Sequence, residues 1–309
     1  ILDQAWSYCA LSVAAQLATF PISLYYFHQF PVYFLISNLF IVLPVTIIMY
    51  AGIVFLIIPC SIVIQYLGSF LNWLIRHTND FLYYIENLPF ASLGGIWIST
   101  FQFLMIYLIM ASFILIISFK IRKLLLPVSV LLCVLMVSFA FKTWLDFKRH
   151  EIIFFSIRKQ SAIAYVYRGE SLLVADVDPS DKLFSFSIRP VLDKRGNNKL
   201  KFFHNLKSFS GDSYKGDTNF LQFANFRILR WTSDFDNLIF KERLKVNAIL
   251  ISGNPKSKLR DIQTSVDFSR IFIDGTNPDY KIEAWKTEAG KMNIACYVLK
   301  KNPAYIIKL

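Results

Sequence analysis

Charged residues are missing from almost the first quarter of the chain. Between Asp3 and Arg76 there is no Asp, Glu, Lys or Arg. An uncharged run of this length excludes the surface of a soluble domain and is typical of segments that lie in lipid or against other membrane helices. The sequence therefore predicts a membrane domain at the start of the chain.

Paired cysteines and clustered metal ligands are missing as well. No two of the four cysteines form a CxxC pair, and the four histidines have no ligand spacing. These residues are Cys9, Cys60, Cys133, Cys296, His28, His77, His150 and His204. The sequence predicts no disulfide framework, no zinc site and no cofactor.

Positive charge is concentrated in the second half of the chain. Residues 1–141 contain four basic and three acidic residues, whereas residues 142–309 contain 29 and 18, a formal charge of +11. Such a basic domain favours an anionic partner, namely nucleic acid, lipid head groups or a cell-wall polymer, with ordinary solubilising charge as the alternative. We therefore divide the chain into a membrane domain, 1–141, and a basic domain, 142–309.

The membrane domain is predicted to contain long helices. Their ranges are 5–20, 32–58, 61–86, 96–119 and 124–141. Proline lacks an N–H and disturbs a helix, so Pro21 should stop the first helix and Pro44 should kink the second. The helix over 61–86 is amphipathic, and lies either on the membrane surface or against a wet cavity. The aromatic connection over 25–31 is typical of the bilayer interface.

A basic cluster between the last two spans predicts the topology. It consists of Lys120, Arg122 and Lys123, and short loops rich in Lys and Arg stay cytoplasmic. The last span should then return outward and deliver residues 142–309 to the extracytoplasmic side.

The basic domain has the pattern of an α/β or α+β fold. Strand-like runs are separated by turns and by a few helical segments. The predicted strands are 152–157, 162–167, 172–175, 246–251, 271–273, 294–299 and 305–307, and the predicted helices are 255–266 and 280–290. Residues 190–217 are predicted to form loops with one helix at most.

One segment of the membrane domain resembles a known family. The residues are Ala14-Ala15-Gln16, Pro21, the aromatic loop from Phe27 to Pro31, Asn38-Leu39 and Pro44. This pattern is similar to the membrane domain of ComEC-type competence proteins, and the similarity extends over residues 5–145. The resemblance implies a multi-pass protein of the bacterial inner membrane that admits single-stranded DNA during transformation. The chain begins at Ile1, without Met or a signal peptide pattern, and we expect it to be the C-terminal piece of a longer protein.

The resemblance also implies a metallo-β-lactamase-like domain after the membrane domain. Here the family's first motif corresponds to Ser156–Ala162, without its glycines, and the next to Leu173–Asp176. A later motif, whose histidines are absent, corresponds to Ser252–Asn254. No HxHxDH stretch is present, and a two-metal hydrolytic site needs several His and Asp ligands. We expect a degenerate domain of this fold that is not an enzyme.

The leading hypothesis is a component of the single-stranded DNA uptake channel. The alternatives are a transporter or assembly protein for another anionic polymer or lipid, and an active membrane-bound hydrolase, which the missing ligands argue against. The expected partners are single-stranded DNA, membrane lipid, other competence proteins and a second copy of the chain.

Two sets of candidate site residues follow from this hypothesis. Neutral polar groups should line a transport path, although each of them alternatively bonds a neighbouring helix; they are Gln16, His28, Gln29 and Asn38, with Pro44 shaping the wall. Exposed basic runs should bind DNA weakly and without sequence preference. These are Lys194, Arg195, Lys199, Lys201, Lys256, Lys258 and Arg260.

Overall fold

The computed structural model describes residues 2–58, 61–196, 199–204, 208–211, 213–236, 238, 240 and 242–309. The chain divides into two compact units, Ile1–Ser138 and Phe139–Leu309. The first is helical and the second is rich in β-strands, which confirms the predicted helical membrane domain followed by an α/β domain.

Long helices make up the first unit. In chain order its elements are α1 (Leu2–Ile22), β1 (Gln29–Pro31), α2 (Phe34–Ile57), α3 (Ser61–Glu86), β2 (Ser92–Gly94), α4 (Thr100–Phe119) and α5 (Leu125–Phe147), the last of which continues into the second unit. Among the described residues, four helical segments are long and apolar enough to cross a membrane: Trp6–Phe27, Phe34–Ile57, Thr100–Phe119 and Arg122–Phe147. The helix α3 is not among them, in agreement with its predicted amphipathic character.

Two predictions in this unit need correction. Pro21 does not stop α1, which continues to Ile22 and then widens into a π-helical turn over Ser23–Phe27. The chain leaves the helix only at His28, whose φ is +56°. The aromatic connection is not a simple loop either, because β1 pairs antiparallel with β2. We call this pair the β-ribbon.

Two β-sheets form the second unit. Its elements are β3 (His150–Phe154), β4 (Ala162–Tyr167), β5 (Glu170–Ala175), α6 (Arg189–Asp193), β6 (Lys199–His204), β7 (Phe209–Gly211), β8 (Tyr214–Gly216), β9 (Phe220–Phe223), β10 (Phe226–Trp231), β11 (Leu244–Lys245), β12 (Ala248–Ile251), α7 (Leu259–Ser265), β13 (Val266–Asp267), β14 (Arg270–Ile273), α8 (Asp279–Lys291), β15 (Ala295–Val298) and β16 (Tyr305–Lys308). One sheet has the order β16-β3-β4-β5-β6 and the other β15-β14-β12-β10-β9-β8-β7; β11 and β13 form a separate pair.

The central strands of the two sheets are largely apolar because both faces of each sheet are covered there. On β3, Ile152 and Phe154 enter the core between the two sheets, whereas Ile153 enters a second core under α6. On β12, Leu250 enters the core between the sheets and Ile249 packs below α7 and α8. Alternation along a strand therefore builds a helix–sheet–sheet–helix sandwich.

The prediction of loops over 190–217 is wrong. The described residues there form α6 and the three strands β6, β7 and β8. The strand β6 forms the edge of its sheet, where it pairs in parallel with β5. Its Lys199 and Lys201 are exposed. Lysines on an edge strand discourage further strand pairing, and they hide the strand from a hydrophobicity pattern.

The predicted helix over 255–266 begins only at Leu259. The preceding residues are held in an extended loop because the Asp236 carboxylate accepts hydrogen bonds from the backbone N–H groups of Lys256 (2.8 Å) and Ser257 (2.9 Å). Proline near a helix start is compatible with this loop as well as with a first turn.

Candidate functional site

Polar side chains meet where several strands of the sandwich end. Asp176 follows β5, Ser252 follows β12 and Asp274 follows β14, while Arg230 lies on β10. Together with Thr276 and Asn277 these residues form what we call the polar cluster. Ligand sites of α/β proteins commonly occupy the carboxyl ends of strands, so this edge is the natural place for a site in the second unit.

Arg230 connects the two sheets through this cluster. Its Nη2 lies 3.3 Å from Asp176 Oδ2 on one sheet and 3.2 Å from Ser252 Oγ on the other. The guanidinium is mostly buried, with 13% of the side chain exposed. Its Nε has no hydrogen-bond partner within the described part of the chain.

Asp274 is the most deeply buried acid of the cluster, with only 1% of its surface exposed. Its Oδ1 accepts hydrogen bonds from the backbone N–H and the hydroxyl of Thr276 and from Asn277 Nδ2 (3.1 Å). Burial raises the pKa of Asp274 above its usual value, although the bonds from Thr276 oppose that shift.

The loops around the cluster are tied to one another. The Gly253 N–H donates to Thr276 Oγ1 (2.7 Å) and the Asn254 N–H to Asn277 Oδ1 (3.0 Å), so the turn after β12 is fixed to the turn after β14. Both Gly253 and Asn254 have positive φ, +72° and +61°. The side chains of Thr276 and Asn277 are therefore occupied in joining the two turns.

The donor set at this edge does not fit the pair of metal ions that the resemblance to metallo-β-lactamase-like domains implies. It offers the carboxylates of Asp176 and Asp274, and the cation of Arg230 lies beside Asp176. Within the described ranges no three His, Cys, Asp or Glu side chains form a metal-binding group. His150 packs against Tyr167 with tilted rings whose centroids are 4.6 Å apart, and His204 is paired with Ala175 at the end of β6, beside the strand end that Asp176 follows.

The predicted DNA-binding residues fall into separate places. Lys199 and Lys201 lie on the edge strand β6, where both approach Glu170, at 4.0 and 3.0 Å. Lys256, Lys258 and Arg260 lie exposed at the start of α7, on the other sheet's outer face. Lys194 is exposed at the end of α6.

Arg195 is not the exposed cation that the sequence predicts. Its Nε donates to Glu151 Oε2 at 2.9 Å and its Nη1 to the carbonyl of Val191 at 2.7 Å, with 11% of the side chain exposed. A buried charge needs such partners because desolvation is costly. Arg195 therefore holds α6 against β3 and leaves the DNA-binding set.

The predicted path residues lie in the half of the first unit that contains the β-ribbon. His28 stacks on Trp97 with ring centroids 3.4 Å apart, and Gln29 Oε1 accepts from Ser92 Oγ at 3.4 Å. Gln16 lies six residues before the end of α1 and Asn38 four residues after the start of α2, both half-buried. Pro44 lies in the first half of α2.

A buried glutamine in this unit escaped the sequence analysis. Gln102 is 1% exposed, and its Nε2 donates to Ser138 Oγ at 3.2 Å, which connects α4 with α5. Its Oε1 also accepts from the Ser99 N–H, and Ser99 caps α4 in return. The pattern Ser-x-x-Gln before an apolar run is the signal that marks this residue.

Comparison with known families assigns both parts of the chain. The family described as "Competence protein" matches residues 2–123, and the family described as "ComEC C-terminal domain" matches residues 152–309, slightly more than half of the chain. No curated protein matches the chain.

The cysteines form no pair among the described residues. Cys133 is exposed, Cys9 and Cys296 are half-buried, and all three are free thiols; Cys60 lies outside the described residues.

Proposed function

Since the chain belongs to the family of ComEC-type competence proteins, we propose that it forms part of the channel that takes single-stranded DNA across the bacterial inner membrane. A role in competence for DNA uptake follows from the family itself. The observation that supports the channel is the match of the Competence family to the unit that contains the candidate membrane spans.

The channel must provide a wet path, because phosphates do not enter hydrocarbon. The helices α1 and α2 contain no charge after Asp3, so their contribution to the wall consists of neutral side chains. Gln16 and Asn38 fit this role, because they are half-buried polar residues on two helices that contact each other. His28 and Gln29 fit a supporting role, since their side chains already bond within the β-ribbon region.

The amphipathic helix α3 offers a second polar surface. Gln65, Asn72, Arg76 and Asp80 are exposed on it, and α3 packs along α2. This face borders a wet cavity if copies of the chain assemble into an oligomer, and otherwise lies against lipid head groups. Lipid, other competence proteins and a second copy of the chain are therefore the partners that we propose besides DNA.

The second unit, in this proposal, binds DNA and does not hydrolyse it. The support is the donor set of the polar cluster, in which an arginine stands beside one carboxylate and hydrogen bonds immobilise the other. Hydrolysis by two metal ions needs vacant, converging ligands around both metals.

A double substitution tests the path. Gln16→Leu with Asn38→Leu should abolish transformation while the protein still accumulates in the membrane, because the wall loses its hydrogen-bonding groups. The matched control is Gln16→Asn with Asn38→Gln, which keeps an amide at both positions and should retain transformation. Wild-type transformation by the first pair removes Gln16 and Asn38 from the path.

Metal analysis tests the non-hydrolytic domain. Purified full-length protein should contain less than stoichiometric zinc or manganese and should leave single-stranded DNA intact. Two tightly bound metals per chain with metal-dependent cleavage would refute this part of the proposal.

A deletion strain tests the uptake function itself. If it transforms normally, transport of another anionic polymer or of a lipid is favoured instead.

A further inference from the structure

A groove runs along one edge of the sandwich, next to the polar cluster. It lies between β15 and β16, the terminal strands of the two sheets, and the connection 299–304 closes it. The cavity measures about 770 Å³, and a second cavity of about 620 Å³ shares Asp279, Lys300 and Lys301 with it. We call the two cavities together the edge groove.

Basic side chains dominate the edge groove. Its walls contain five cations and two carboxylates: Arg158, Lys159, Lys286, Lys300 and Lys301 against Asp279 and Glu283. Lys300 is held by Asp279 Oδ1 at 2.6 Å and by the carbonyl of Asn277 at 3.1 Å. Lys301 lies 3.6 Å from Asp279 Oδ2 but is 80% exposed, and Lys286 lies 3.6 Å from Glu283 Oε2 but is 59% exposed.

Aromatic rings line the same groove. Tyr297 on β15 and Tyr305 on β16 face each other with centroids 4.1 Å apart, and both are half-buried. Tyr305 also packs against Phe272 of the core, which fixes its orientation. Rigid rings beside mobile cations are the combination that binds single strands, because bases stack on the rings while lysines follow the phosphates.

The backbone at the far end of the groove is equally rigid. The Lys159 N–H donates to the Gly275 carbonyl at 3.2 Å, and Lys159 has a φ of +59°. This turn presents Arg158 and Lys159 as exposed neighbours at the second cavity. The cations are therefore spread over both cavities, as a chain of several phosphates requires.

We propose that the edge groove is the site at which the second unit holds a short segment of single-stranded DNA, with bases against Tyr297 and Tyr305 and phosphates against Arg158, Lys286 and Lys301. The proposal rests on the function proposed above. It replaces the basic runs on β6 and α7 as the main DNA contact, because the edge groove combines several cations with two aromatic rings in its walls.

The test measures binding of a fluorescein-labelled thymidine oligonucleotide to full-length protein in nanodiscs of zwitterionic lipid. The groove variant carries Arg158→Gln, Lys286→Gln and Lys301→Gln; the control carries Lys256→Gln, Lys258→Gln and Arg260→Gln, which removes the same charge. The groove variant should bind at least tenfold more weakly, and its salt slope should fall by about 2 for three lost phosphate contacts. Equal weakening in both variants overturns the proposal.

The aromatic contribution has its own measurement. Tyr297→Leu should weaken binding about tenfold, whereas Tyr297→Phe should retain it, since stacking needs the ring and not the hydroxyl. An abasic oligonucleotide with the same phosphates should also bind less well to the wild-type protein, a result that does not depend on how any variant folds. Equal affinity for abasic and normal strands refutes the stacking.

Transformation separates failure of the groove from failure of the function. In a deletion strain, the wild-type gene should restore transformation and the groove variant should not. If the groove variant restores it fully, the edge groove is refuted while the channel stands. If the deletion strain transforms normally, the function itself is refuted.

Discussion

A side chain at residue 275 would collide with the backbone of a neighbouring loop. A Cβ built on Gly275 meets the carbonyl oxygen of Ile157, and the Gly275 carbonyl accepts from the Lys159 N–H. The turn after β14 and the loop after β3 therefore approach each other as only glycine permits. This contact brings the polar cluster and the edge groove next to each other.

Substitution of this glycine should be costly. Gly275→Ala is expected to lower the free energy of unfolding by about 1–3 kcal/mol, because the backbone of Ile157 must move. Thermal unfolding of the detergent-solubilised chain measures the loss.

The matched control is Gly290→Ala in α8. No atom lies within 4 Å of a Cβ there, and alanine is a better helix former, so this change should stabilise by about 0.5–1 kcal/mol. Equal effects of the two substitutions would show that the close approach at Gly275 does not affect the free energy of unfolding.

Asp274 should make stability depend on pH. Burial raises its folded pKa above the ordinary 3.8, so the folded state binds the proton more tightly than the unfolded state. The resulting stability is fully present below pH 3.8 and is lost as the pH rises through the raised pKa. Asp274→Asn removes this dependence.

Unfolding midpoints of wild type and Asp274→Asn, compared between about pH 4 and pH 8, check the sign. The wild type should lose stability relative to the variant as the pH rises. Parallel profiles would mean that Asp274 titrates alike in both states.

At the scale of elements, α4 begins with a reciprocal cap. The Gln102 N–H donates to Ser99 Oγ at 3.2 Å, and the Ser99 N–H donates to Gln102 Oε1 at 2.9 Å. The cap explains why the helix begins at Thr100 and not at residue 96, because the residues before it join the β-ribbon connection.

Ser99→Ala should therefore fray the first turn of α4. The loss is expected to be about 1 kcal/mol, seen as faster amide hydrogen exchange over residues 100–103. Ser112→Ala is the control, since Ser112 Oγ only donates to Leu108 O one turn back. Exchange that is unchanged by Ser99→Ala contradicts the role of the cap.

At the scale of the whole molecule, the decisive question is which side of the membrane each part occupies. The described residues place Lys120, Arg122 and Lys123 in a short turn between α4 and α5, as the hairpin interpretation requires. The rule of positive loops then predicts that this turn is cytoplasmic and that residues 142–309 lie outside.

Reporter fusions test that topology. A reporter that works only outside the cytoplasm should be active at Leu309 and inactive after Lys123, and a cytoplasmic reporter should behave in the opposite way. Cytoplasmic activity at Leu309 reverses the orientation and, with it, the side on which the edge groove meets DNA.

Local patterns in the sequence predicted many of the helices and strands of this protein. Helix periodicity, the uncharged run before Arg76 and the apolar strands predicted α2, α3, β4 and β12 close to their observed ranges, because apolar runs and an amphipathic repeat are local signals. The hairpin between the predicted strands β4 and β5 turns at Arg168 and Gly169, which both adopt positive φ.

Only the tertiary structure decided which polar residues act together. Asp176, Arg230 and Ser252 come from distant parts of the chain, and strand order alone brings them within hydrogen-bond distance. Tyr297 and Tyr305 are likewise neighbours because two sheets end at one edge. Arg195 shows the same dependence in reverse: its charge suggested exposure, but packing against Glu151 buried it, because burial is a property of the assembled layers and not of the residue.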